Sequence, residues 1–338
     1  MNHSYIFLLP ILLIWACKPQ APGPIQPRAG IPRLEIGPDH SIFFQDDSCR
    51  EYALRNCNIA CPEEWDDDLV YMVRFNPMDA REILYAYSPY PSAGFNLFRL
   101  NLETGETNMV VEYIHQVADW SIKDWIVLDR HPLGIWKVKS NGDSLQLLIK
   151  SENSSEQYRH PMWDSSGTRI LVGQEGHNAK ILDEQGNIID SLPMPNFPTP
   201  GVSANFRYIS LVRDSVFGYK DFHTNIFYPL RTALRHPSWT AWSPDNKKLV
   251  LMGMPMDGLP WRIFVFDIET GTERTLYAHD CWNYYYKFPV ISSDGQWLVM
   301  QKWTVELKPG TAITRFRDVQ AAFMHLETGE EYVAEFNP

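Results

Sequence analysis

Three copies of one triplet carry the most reactive side chains of the sequence: Arg130-His131-Pro132, Arg159-His160-Pro161 and Arg235-His236-Pro237. A guanidinium pairs in a bidentate way with carboxylates and phosphates, and imidazole titrates near neutral pH, so the pattern suits recognition of an anion. Two such His can also converge on a small molecule or a metal. The plainer reading is a polar loop entering a strand, with Pro stopping edge pairing and His bonding a carbonyl. Arg159, His160, Arg235 and His236 are the ligand-binding candidates, because each of their triplets precedes the innermost strand of a repeat. The first triplet falls between two central strands of its repeat and is set aside.

Cysteine offers a second chemistry. Cys17 belongs to the leader discussed below, which leaves Cys49, Cys57, Cys61 and Cys281. An even number in an exported chain allows two disulfides in three connectivities. Cys57 and Cys61 are separated by three residues, a spacing also found in metal sites, but no second close Cys or His pair accompanies them. Disulfides are the expectation and no metal site is assigned. A bond from Cys49, Cys57 or Cys61 to Cys281 would tie the two ends of the repeat array together.

These residues need a scaffold, and the stretch from His236 to Tyr277 supplies its unit. Trp242-Ser243-Pro244-Asp245-Asn246 is a turn signal, Leu249 to Met252 and Trp261 to Ile268 are short apolar runs, and Glu269-Thr270-Gly271 provides a hairpin Gly. That is four strands in about forty residues. The first turn returns at Asn76-Pro77-Met78-Asp79, Ile122-Lys123-Asp124, Ser165-Ser166-Gly167, Ser203-Ala204-Asn205 and Ser293-Asp294-Gly295. With Asp79, Asp124, Gly167, Asn205, Asn246 and Gly295 as markers, the steps run from 38 to 49 residues. The second hairpin returns in every unit except the fourth, at Gly105, Gly142, Gly186, Gly271 and Gly329. The pattern predicts an all-β chain, a six-bladed β-propeller of four-stranded antiparallel blades over residues 67–338. The 12 Trp, 16 Tyr and 17 Phe suit sheets covered on both faces.

The turns Pro161-Met162-Trp163-Asp164-Ser165-Ser166-Gly167 and Trp242-Ser243-Pro244-Asp245-Asn246 resemble the signature of the TolB-type, WD-like propeller family. The resemblance covers roughly residues 69 to 336 and implies the fold, while propellers host binding modules and enzymes alike. TolB itself carries an additional N-terminal α/β domain. Residues 18 to 66 are too short and Pro-rich for one, so its lipoprotein partnership is not carried over. A further resemblance, to oligogalacturonate lyases, rests on the His-Pro pairs and implies a polysaccharide-active enzyme with a metal at the channel mouth.

Residues 1–17 read as an exported leader: Tyr5 to Trp15 has the length of a signal-peptide apolar region, and Ile14-Trp15-Ala16-Cys17 resembles the bacterial lipobox, whose Cys is lipidated. Residues 18–32 form a Pro-rich tether and residues 33–66 a Cys-containing segment outside the repeat. Within it, His40 to Phe44 has strand character and either closes the last blade or lies outside the ring. The run Asp66-Asp67-Asp68 reads as a solvated loop rather than a cation site.

Thirty Lys plus Arg against forty-one Asp plus Glu give a net charge of −11, which opposes binding to nucleic acid or anionic lipid. The sequence has no Walker loop, dinucleotide fingerprint or His-Glu-x-x-His, so no cofactor and no catalytic residue is expected. Gly201-Val202-Ser203-Ala204-Asn205 lacks the last Gly of a nucleophile elbow, and protease activity is not expected. The expectation is a lipid-anchored periplasmic or cell-surface protein that binds or scaffolds another protein or an anionic glycan. It touches the membrane through its lipid alone.

Overall fold

The computed structural model describes residues 33–36, 42–45, 69–79, 81–88, 94–115, 117–130, 134–152, 157–174, 177–193, 201–213, 216–255, 262–278, 284–306 and 315–334. Of these, 33–36, 42–45, 69–71, 235, 236, 238, 254, 255, 278, 284, 285, 304–306, 315–319 and 334 are described by their backbone alone. Cys17, Cys49, Cys57, Cys61 and Cys281 lie outside the described residues, as does Asp66-Asp67-Asp68.

Every regular element among the described residues is a strand, and six antiparallel sheets follow one another as blades, each built outward from an inner strand. Blade one is Leu69–Phe75, Glu82–Ser88, Phe95–Asn101 and Thr107–Ile114. Blade two is Ala118–Trp120, Trp125–Arg130, Gly134–Lys139 and Gln146–Lys150. Tyr158–Trp163, Arg169–Gln174, Ala179–Asp183 and Ile188–Leu192 make blade three. Blade five is Leu234–Trp242, Lys248–Pro255, Arg262–Asp267 and Thr272–Ala278, and blade six is Tyr284–Ile291, Trp297–Glu306, Arg315–His325 and Glu331–Ala334. No helix among the described residues is long and apolar enough to cross a membrane.

Blade four departs from the rest. Its three full strands are Tyr208–Arg213, Val216–Asp221 and Ile226–Pro229, and its inner strand is reduced to one antiparallel bridge between Val202 and Ile209. The sequence ahead of Val202 holds Pro193, Pro195, Pro198 and Pro200, none of which can donate to a ladder. This blade also has an outer hairpin, which the Gly pattern does not predict. Asn225, at φ 59°, takes the left-handed place that Gly fills elsewhere, and Asp221 caps the turn by accepting the His223 N–H at 2.8 Å.

Each neighbouring pair of blades shares one apolar cluster, because the middle strands are buried on both faces. Leu249, Val250, Leu251 and Met252 alternate between the cluster shared with blade four and the one shared with blade six, and all four are 0% exposed. The ring closes in the same way. Val73, Phe75, Tyr85 and Phe98 of blade one pack with Trp297, Val299, Ala321 and Phe323 of blade six, and the Phe75 and Phe323 rings meet edge-on at 5.9 Å. No borrowed strand is needed: the outer strand of blade six is its own Glu331–Ala334, and Ile42–Gln45 pairs with Arg33–Ile36 as a separate hairpin.

Closure by packing makes a quantitative expectation. Phe323→Ala, at a fully buried position, should lower unfolding stability by about 3–5 kcal/mol in urea titration, against under about 0.5 for Met78→Ala on the surface. A loss below about 1 kcal/mol for Phe323→Ala would place closure elsewhere.

Candidate axial binding site

The six turns that follow the inner strands share one construction, opened by Asn76, Ser121, Asp164, Ser203, Ser243 and Ser292. In blade five the Ser243 hydroxyl donates to Asp245 at 2.5 Å and accepts the Lys248 N–H at 2.8 Å, while Asp245 accepts the Lys247 N–H at 3.0 Å. Blade six repeats this with Ser292, Asp294, Gln296 and Trp297, and blade four with Ser203, Asn205, Arg207 and Tyr208. Asp164 takes the opening place in blade three, accepting the N–H groups of Thr168 and Arg169 and the Arg169 guanidinium at 2.9 Å. In blades two to six the fourth residue of the turn sits at positive φ, as Asp124, Gly167, Phe206, Asn246 and Gly295. In blade four this places the repeat marker on Phe206, one residue beyond Asn205.

The residue after each opening position points to the axis. Pro77, Ile122, Ser165, Ala204, Pro244 and Ser293 together line one end of an axial cavity of about 390 Å³. Ile122, Ser165, Pro244 and Ser293 are exposed, so the cavity reaches the surface on this turn face, behind an uncharged rim. Deeper in, the wall residues two before the opening position are Arg74, Asp119, Met162, Ala241 and Val290. Four before it stand Val117, His160, Trp239 and Phe288. Trp239 and Phe288 form an aromatic wall with ring centres 4.5 Å apart.

Proline explains how the inner strands serve as a wall. Pro161, Pro237 and Pro289 sit inside them, each beside a break in register, and His160 and Phe288 ahead of two of them have φ of 51° and 52°. An inner strand is a sheet edge, where the missing N–H costs no ladder bond. The triplets therefore lie within inner strands, not before them, because Pro reads as a strand-breaker unless the strand is known to be an edge. They are also not equivalent. Trp239 holds in blade five the position of His160 in blade three, and His236 lies three residues upstream, opposite Met254.

Among the candidates, His160 lines the cavity; Arg159 does not, and its Nε donates to Gln157 at 2.9 Å. Arg235 and His236 are backbone positions in Leu234–Trp242, and their side chains lie outside the described residues. Arg74 and Asp119, which no sequence motif singles out, are charged residues of the wall, as is Asp164, whose carboxylate is held by Arg169. The Arg74 Nε approaches Asp119 at 3.9 Å, and Asp119 accepts the Trp163 N–H at 2.7 Å. Burial pulls the Arg74 guanidinium below its ordinary value against the field of Asp119. Burial likewise pushes the Asp119 carboxyl up, opposed by Arg74 and by the N–H groups of Trp163 and Trp120.

Behind the wall, Asp129 is 2% exposed and joins two blades. It accepts the N–H of Val117 at 3.2 Å and that of His160 at 3.4 Å, and lies 3.9 Å from His115 Nδ1. Burial pulls the His160 imidazole below its ordinary value; Asp129 opposes this, while His115, Arg159 and Arg74 add to it. Among the described residues no three His, Cys, Asp or Glu side chains gather as a metal-binding group.

No family model matches the sequence, and no curated protein matches it. Solved structures do match the fold. TolB from Acinetobacter baumannii superposes with a TM-score of 0.53 at 14% identity over 76% of this chain, which spans 64% of that protein's length. A putative TolB from Agrobacterium tumefaciens gives 0.50 at 14% identity, covering 70% of this chain and 87% of its own. An oligogalacturonate lyase in complex with manganese gives 0.51 at 11% identity, covering 78% and 76%. At 11–14% identity these likenesses show the propeller fold that this chain shares with TolB.

His160 supplies a pH test. Its folded affinity for protons is below that of the unfolded chain, so protonation favours unfolding. The stability it contributes is present above pH of about 6.5 and is lost as pH falls from there towards the folded midpoint. By NMR the His160 midpoint should lie below about 6.5 and fall further in Asp129→Asn, which removes the opposing charge. A midpoint at or above 6.5 would contradict this account of the wall.

Proposed function

We propose that the protein is an exported binding propeller, lipid-anchored at Cys17 and held off the membrane by the Pro-rich residues 18–32, whose axial cavity is its recognition site. It binds or scaffolds rather than catalyses. The observation that carries this reading is the cavity: all six blades contribute one turn residue to its rim, and its wall combines an aromatic pair with one buried Arg–Asp pair and one His. Cavities of roughly 300–1,000 Å³, mostly apolar with a few placed polar groups, are the usual form of a small-molecule or side-chain pocket. The uncharged rim suits a protein loop or a sugar end entering from the turn face. Arg159 and Arg235 remain proposed anion contacts on the strands behind it.

A second reading, a polysaccharide-active enzyme using a metal at the channel, draws on His160 in the wall. The described donors do not fit it, since His160 has no two further ligands beside it and stands near the Arg74 cation. Metal analysis of the purified full chain separates the readings: manganese or zinc at one per chain, lost in His160→Ala, would favour the enzyme.

The binding reading is tested at the rim. Ala204→Trp, which places an indole across the cavity, should reduce retention of membrane-extract proteins and anionic glycans by about tenfold, roughly 1.4 kcal/mol. Ile189→Asp on the exposed outer strand of blade three should leave retention unchanged. Cys17→Ser should move the chain from the membrane to the soluble fraction without altering retention. Equal binding by the Ala204 variant and the parent would remove the cavity from the mechanism.

A further inference from the structure

We infer that the axial cavity takes a small zwitterion with an aromatic or bulky apolar body, an α-amino acid of that kind, with its carboxylate on Arg74 and its ammonium on Asp119. The inference rests on the cavity being the binding site and goes on to name its ligand.

The starting point is an incompletely compensated cation. The Arg74 side chain is 12% exposed and carries five N–H donors, of which one meets the Val73 carbonyl at 3.0 Å. Its approach to Asp119, 3.9 Å from Nε, is beyond hydrogen-bond length. A buried guanidinium with this few partners among the described residues is costly unless something else fills its fork, and a carboxylate is the geometric match.

Asp119 decides the rest of the ligand. It faces the same space, and although it accepts two backbone N–H groups its two oxygens offer about four acceptor places. A plain carboxylate bound to Arg74 would sit beside Asp119 and leave the site with an excess negative charge. A plain amine on Asp119 would face the Arg74 cation. A molecule bearing both charges two bonds apart satisfies both groups and leaves the neutral sum unchanged. Asp164, which also lines the cavity, is already paired with Arg169 and leaves this sum unchanged.

The remainder of the wall selects the body. Trp239 and Phe288, tilted by 57°, offer a ring-sized face, and Met162, Ala241 and Val290 are apolar. A second charge on the ligand would be stranded there. The volume of about 390 Å³ is enough for one such molecule.

Isothermal titration of the full chain tests this with three probes of one shape: L-phenylalanine, 3-phenylpropionate, which lacks the ammonium, and 2-phenylethylamine, which lacks the carboxylate. L-Tryptophan and L-leucine extend the series. Phenylalanine should bind at least tenfold tighter than either truncated probe, and Arg74→Gln and Asp119→Asn should each abolish that preference while circular dichroism stays unchanged. Where Arg74→Gln does not fold, Arg74→Lys should keep binding but lose at least threefold, because an ammonium cannot grip the carboxylate with two bonds. Phenylpropionate binding as tightly as phenylalanine overturns the zwitterion. So does silence of all five probes; if Ala204→Trp still weakens retention of extract proteins or glycans, the cavity reading stands, and if it does not, both fall together.

Discussion

The fold depends on a small hydrogen-bonded clamp at the end of each inner strand. In blades four to six a Ser hydroxyl donates to the Asp or Asn two residues on and accepts the N–H five residues on, as with Ser243, Asp245 and Lys248, while Asn76, Ser121 and Asp164 accept the turn N–H groups in blades one to three. The turn can close this tightly because its fourth residue takes a left-handed φ, open to Gly and tolerated by Asn and Asp. The clamp fixes where the inner strand stops and the next begins. With five inner strands and the Val202 bridge of blade four ending in such turns, the residue just beyond each opening position is brought to the axis, and the rim of the cavity is set by backbone chemistry.

A wall built this way has a column structure, and its columns differ in kind. The rim is Pro, Ile, Ser, Ala, Pro and Ser, which suits entry. The next column is apolar or small except at Arg74 and Asp119, which stand on adjacent blades. Two buried charges at that level oppose stability through their desolvation, which the apolar clusters between blades offset. A Val or Ala in that column would pack at no such cost, and this cost is what the proposed binding site rests on. Asp129 is a positioning residue in the layer behind, where it holds the two strand backbones that carry Val117 and His160.

Much of the fold is legible in the sequence because its determinants are local. Trp-Ser-Pro-Asp-Asn names a turn, a run such as Leu249 to Met252 names a strand buried on both faces, and Glu-Thr-Gly names a hairpin. Blade four escapes the pattern where a less common residue takes the same conformation, Asn225 for Gly. The site is less legible. Arg-His-Pro stands out as a triplet, but among the described side chains the cavity takes His160 and Pro161 of the second copy and not Arg159, which a register break between Arg159 and Met162 leaves bonded to Gln157. Arg74 and Asp119 carry no local signal, being far apart in sequence. They become visible only when the six turns are aligned and the residue two before each opening position is read down the column, a step available from the sequence once the repeat is granted. The lipid anchor and the cysteine chemistry are sequence readings that stand on residues outside the described structure.

Site-specific photocrosslinking in intact cells tests the axial cavity most directly, with a photoreactive amino acid placed at Ala204 on the rim or at Ile189 on the outer strand of blade three. The account predicts adducts, of a small molecule or a partner, from Ala204 and none from Ile189. Adducts from Ile189 alone would contradict it and move recognition to the outer edge of the ring.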